Sequence, residues 1–148
     1  MRRSNLLGLM CVLFAPAASA GATWTVVNSP ASEDFNGISA ATPDFAIAVG
    51  DGGRIVHFVD DDSGSIVPSG TTNTLLDVFV SDRDFAVAAG FDVVLFWNGS
   101  AWNTLRENTG TPGLPYSPVW ITPERDVAFF GTLGQQFNVV CPHRFGAV

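Results

Sequence analysis

Three consecutive carboxylates, Asp60, Asp61 and Asp62, followed by Ser63 and Gly64, form the densest set of hard oxygen ligands in the chain. A calcium ion takes several such oxygens at once. The spacing departs from the EF-hand pattern, because with Gly64 as the loop glycine the first ligand position falls on Val59. Neighbouring acids on an extended loop also point in alternate directions. The run is therefore a calcium candidate set against a simpler reading as a solvated turn. Asp44, Asp84 and Asp126 recur at equivalent places and suggest a ring of carboxylates. Their position beside Pro43, Arg83 and Arg125, between apolar runs, suits an Asx-turn instead, with the carboxylate bonded to backbone amides.

Nucleophilic chemistry has little to work with. Cys141 has His143 two residues away, but the strand pattern has lapsed there, and an incidental thiol is the simpler reading. His57 sits within an apolar run, where a packed or edge-exposed ring is expected rather than a base or ligand. Trp24, Trp97, Trp102 and Trp120 could stack on sugars, yet three of them occupy strand positions that call for a large core residue. No Gly-x-Ser-x-Gly elbow, phosphate loop or zinc spacing occurs. No cofactor is expected.

The ends and the charge narrow the partners. Arg2 and Arg3, an apolar run from Leu6 to Phe14 and the small residues Ala18-Ser19-Ala20 have the form of a signal peptide over residues 1–20, cleaved after Ala20. Lipidation at Cys11 is the alternative, which Met10 fits poorly. Beyond residue 20 five arginines stand against fourteen carboxylates, a net charge of minus 9, with no lysine in the chain. Such a surface repels phosphate backbones, so neither nucleic acid nor an anionic membrane is expected as a partner. No later apolar run approaches the roughly 20 residues of a membrane span. Export to the periplasm or the exterior is expected, and a single cysteine beyond the leader leaves the fold to hold by burial alone.

The elements that would position these residues repeat. Asp44-Phe45-Ala46-Ile47-Ala48-Val49-Gly50 returns forty residues later as Asp84-Phe85-Ala86-Val87-Ala88-Ala89-Gly90, and more loosely as Asp126-Val127-Ala128-Phe129-Phe130-Gly131. On an extended strand Phe45, Ile47 and Val49 share one face while Ala46, Ala48 and Gly50 share the other. A bulky apolar face backed by a flat apolar one asks for neighbouring sheets on both sides. Aligning Ile38 with Val78, Gly50 with Gly90 and Ile55 with Leu95 gives one offset of forty, which pairs His57 with Trp97.

A period near forty with short strands predicts an all-β partial β-propeller of about two and a half four-stranded blades. The blade units are about residues 36–67, 75–105 and 117–140, with an outer strand at 22–27 and an irregular tail at 141–148. A ring does not close from so few blades. The expectation is a fragment of a larger ring, then a truncated product, then a partial ring completed by further copies.

The unit formed by Leu-Leu-Asp-Val at 75–78, the repeat at 84–90 and Phe-Trp-Asn-Gly-Ser-Ala-Trp at 96–102 resembles repeats of exported bacterial propellers. These are the BNR or sialidase-like group and the photosystem II assembly factors. In them a Val-Gly step follows the second strand and an Asp-Gly-x-x-Trp type turn precedes the fourth. Gly50, Gly90 and Gly131 match the first element, and Asn98 to Trp102 matches the second with Asn in place of Asp. The turn Asp62 to Ile66 lacks the tryptophan, and the third unit lacks the turn. The resemblance implies a propeller of about seven blades and export, and it carries over no activity.

Two functions are weighed. One is an exported, non-catalytic binding or scaffold module for a protein or a glycan, using the varied loops 60–64 and 109–118. The alternative is a fragment of a sialidase-like glycoside hydrolase whose catalytic residues lie outside this chain. Such a hydrolase needs clustered arginines and a tyrosine and glutamate pair. Here the single tyrosine, Tyr116, lies in a proline-rich linker with no glutamate at a matching place.

Overall fold

The computed structural model describes residues 26–60, 64–107, 113, 115–117, 119–122, 128–132 and 135–137. The leader region, Trp24, the Asp61–Asp62 pair, Asp126 and the tail with Cys141 and His143 lie outside these residues. Within them the chain is all-β. The first sheet comprises β1 (Phe35–Thr42), β2 (Phe45–Gly50), β3 (Ile55–Val59) and β4 (Ser65–Ile66). The second comprises β5 (Leu75–Asp82), β6 (Phe85–Gly90), β7 (Val93–Trp97) and β8 (Trp102–Glu107). A third has β9 (Val119–Ile121), β10 (Ala128–Thr132) and β11 (Gln135–Phe137). Each is an antiparallel meander with strands adjacent in chain order. Val26 and Val27, expected at the end of an outer strand, belong to no strand.

The alternation of large and small apolar residues explains the layering. Phe45, Ile47, Val49 and Ile55 of the first sheet join Val78, Val80, Ala86, Ala88, Leu95 and Trp97 of the second in one core. The bulky face of β2 thus meets the flat face of β6, where alanines leave room for it. On its other face the second sheet offers Phe85, Val87, Ala89 and Val94 to Val119 and Ile121 of β9 and to Tyr116. All six residues of β6 are buried as a result. A fully buried valine, leucine or isoleucine side chain contributes about 1.5–3 kcal/mol, so this double coverage is the main source of cohesion.

Pairing of the first two strands is the same in both sheets. β1 and β2 pair Phe35 with Gly50, Ile38 with Ala48 and Thr42 with Phe45, with irregularities after Phe35 and after Ala40. β5 and β6 pair Leu75 with Gly90, Val78 with Ala88 and Asp82 with Phe85, with irregularities after Leu75 and after Val80. Gly50 and Gly90 are required by close approach, since a Cβ on either would lie 2.0 Å from a carbonyl oxygen, of Asp34 and Thr74 respectively. Gly50 itself is extended, with φ −166°.

The second ladder corrects the single offset of forty. Val49 pairs with Ile55 and Ile47 with His57, whereas Ala89 pairs with Val94 and Val87 with Phe96. The counterpart of Ile55 is therefore Val94, and that of His57 is Phe96 rather than Trp97. The connection in the second sheet is one residue shorter. The first turns through a 3-10 segment, Asp51–Gly53, with φ 64° at Gly52 and 72° at Gly53, conformations that suit glycine. The second uses Asp92 at φ 62°, a region aspartate tolerates better than most side chains.

Candidate functional site

Asp44 and Asp84 sit in the turns between the first two strands of the first and second sheets, and their surroundings differ. Asp44 accepts hydrogen bonds from Thr42 Oγ1 and, at 2.7 Å, from Arg83 Nη2. Arg83 belongs to the corresponding turn of the second sheet, so this contact links sheets. Asp60, whose backbone is left-handed at φ 52°, accepts from the same guanidinium at 3.3 Å. The Thr42 hydroxyl and then the Arg83 guanidinium hold the Asp44 carboxyl below its ordinary range. The Asx-turn expected of Asp84 is instead made by Asp82, whose Oδ1 accepts from the Asp84 amide at 2.7 Å. Asp60 is thus engaged with an arginine, and among the described residues no group of three potential metal ligands converges.

Trp102 and His57 meet between the first and second sheets. The Trp102 indole Nε1 donates to His57 Nε2 at 3.2 Å, and both residues are buried. The imidazole is boxed by the rings of Phe45, Trp97 and Trp102, with centroids 5.7, 4.8 and 6.1 Å away. Trp97 Nε1 donates to the Arg83 carbonyl at 2.9 Å. Burial lowers the His57 pKa to about 4. Trp102 therefore fills a core position, as its place in a strand suggested. The turn before it is fixed by Asn98, whose Oδ1 accepts from the amides of Ser100 and Ala101 at 3.1 and 2.9 Å.

Two concave surfaces stand out among the described residues. A polar groove of about 510 Å³ runs between the turn after β2 and the segment leading into β5, with Gly52, Arg54, Ser69, Thr71 and Asn73 among its walls. Arg54 is held by Glu33, and this bond lowers the glutamate's pKa. The second groove, about 310 Å³, is mainly apolar and is lined by Val27, Ile38, Pro43, Phe45, Ala46 and Phe58. It lies on the flat face of the first sheet, the counterpart of the face of the second sheet that the first covers. Val78 is 4% exposed there, and its counterpart Ile38 is 69% exposed.

Trp120 is half exposed and stands 6.5 Å from the Phe79 ring. Of the two loops expected to present partners, 60–64 and 109–118, only Asp60, Gly64, Gly113 and Pro115 to Ser117 are described. Within them Tyr116 is buried, its amide donating to the Gly90 carbonyl at 3.0 Å. Arg54 and Arg83 are each committed to carboxylates, Arg54 to Glu33 and Arg83 to Asp44 and Asp60. From a ring that does not close, the sequence leads one to expect an exposed apolar face of large residues, but it does not place a groove at Ile38, Ala46 and Phe58. The signal that could have found it was the equivalence of Ile38 to Val78. No family model matches the chain, and no curated protein is similar to it. Among the described residues no helix is long and apolar enough to cross a membrane.

Proposed function

We propose that the three sheets are consecutive blades of a β-propeller, and that the chain is an exported, non-catalytic binding or scaffold module. The forty-residue spacing of the two first ladders and the stacking of a bulky face on a flat one support the propeller reading. The observation that carries the binding reading is the apolar groove on the first sheet, where Ile38 is exposed and Ala46 and Phe58 are half-buried. Contiguous exposed apolar surface beside a cleft is where soluble proteins meet partners. Its flat relief suits the bulky face of another sheet of the same kind, from further blades or further copies. A protein is therefore the favoured partner, and a glycan in the polar groove is the other. The acidic balance keeps nucleic acid outside this reading.

Sedimentation of the full chain tests the reading. The wild-type chain should self-associate in a concentration-dependent way, and Ile38→Asp should remain a single copy with an unchanged circular dichroism spectrum. Wild-type chain that stays monomeric and binds no hydrophobic dye would overturn it. Export is tested separately by amino-terminal sequencing of secreted protein, with Gly21 expected as the first residue.

A further inference from the structure

We propose that His57 and Trp102 form an acid-released clasp between the first and second sheets. Three observations carry it. The indole N–H has no acceptor capacity, so in the 3.2 Å contact it must donate, and His57 Nε2 must be unprotonated to receive it. The neutral imidazole therefore carries its single proton on Nδ1. The ring also sits edge-to-face among Phe45, Trp97 and Trp102, at interplanar angles of 89°, 80° and 74°, where water cannot solvate an imidazolium. Finally, β8, which carries Trp102, is among the described residues an edge strand paired only to β7, so it can move without breaking a second described ladder.

The groups facing His57 offer a cation little help. From β2 come Phe45 and its ladder partner Ile47, from β4 Ser65, from β7 Trp97 and from β8 Trp102. The nearest charged cluster joins Asp44 and Asp60 to Arg83, whose guanidinium lies 5.6 Å from the centre of the Phe45 ring. Burial alone accounts for the lowered basicity of His57. A proton taken from solvent at Nε2 sets N–H against N–H and strands a charge in an apolar box. The clasp must then open, exposing Trp97, Trp102 and Phe45.

The sign follows from linkage. The ordinary histidine value is 6.5 and the clasped value is about 4. The clasp is at full strength above the ordinary value, weakens as pH falls between the two, and changes no further below the lower one. Across that window the equilibrium shifts toward the open form by about two orders of magnitude. The second intersheet core, built on Phe85, Val87, Val94 and Ile121, has no imidazole among the described residues. It should not respond in that window.

The test uses the full chain, titrated from neutral pH to below pH 4 and followed by imidazole ring resonances and the Trp102 indole N–H. His143→Gln leaves His57 as the one imidazole. A His57 midpoint well below 6.5, with loss of the Trp102 indole signal and a red shift of tryptophan emission over the same range, is the expected result. His57→Gln keeps an acceptor for the indole without a titrating ring, and should abolish the red shift in that window. A His57 midpoint near the ordinary value, or an identical red shift in His57→Gln, would overturn the clasp. Should His57→Gln fail to fold, the imidazole midpoint and its coincidence with the Trp102 signal still decide.

Discussion

The first and second sheets share every pairing of their first ladder at a spacing of forty residues, then part by one residue in the second. The shared part is set by local chemistry: a glycine that lets the incoming chain pass at 2.0 Å and a turn between Thr42 and Phe45 or Asp82 and Phe85. The difference comes from the hairpin that follows, where Gly52 and Gly53 allow a longer turn than Phe91 and Asp92 do. Because the strand period is two, a one-residue slip would turn a strand's faces over. The shorter turn absorbs the slip instead, so Ile55 and His57 face the next sheet as Val94 and Phe96 do. Turn length, rather than the apolar pattern, decides which ring stands at each intersheet contact.

The sheets differ more in coverage than in construction. The flat face of the second is closed by the bulky face of the first, whereas on the same face of the first Ile38 stands exposed beside an apolar groove. The largest effect should come from breaking that closure. Val78→Asp puts a charge at a 4% exposed site and should cost more than about 3 kcal/mol or abolish folding. The equivalent Ile38→Asp should stay within about 0.5 kcal/mol. Urea denaturation of the two variants measures the contrast, and similar costs would remove it. Phe85→Asp, in the second core, should match Val78→Asp in size.

A middle-sized effect sharpens the likeness of the first ladders. Gly50→Ala and Gly90→Ala each drive a methyl group into a carbonyl and should cost about 2–3 kcal/mol, nearly equally, in thermal melts. Unequal costs would mean that the two strand entries are not equivalent. The smallest effect lies at the exposed turns. Arg83→Ala should lower the melting temperature only slightly, and the change should vanish in high salt. The Asp44 carboxyl is held below its ordinary value. Its contribution is therefore present above that value and lost as pH falls through the lowered one, a dependence that Arg83→Ala should weaken.

Much of the architecture was legible in the residues. Alternating Phe45, Ile47 and Val49, the Asp51-Gly52-Gly53 turn and the repeat at Asp84 fix strands, hairpins and the bulky-on-flat relation. The one-residue difference was hidden because both strand faces are apolar, so the pattern from Val93 to Trp97 reads equally well in either register. The candidate sites were less legible, because their partners are distant in sequence. Arg83 reaches Asp44 across 39 residues and Trp102 reaches His57 across 45, separations that no local motif marks. Of the outer strand expected at 22–27 only Val26 and Val27 are described, and these two lie outside any strand.

Hydroxyl-radical footprinting of the full chain, at concentrations where it sediments as a single copy, tests the asymmetric stacking most directly. Side-chain oxidation should be fast at Ile38 and Trp120 and strongly suppressed at Val78, Val87 and Leu95. Equal protection of Ile38 and Val78, or ready oxidation of Val87, would contradict it.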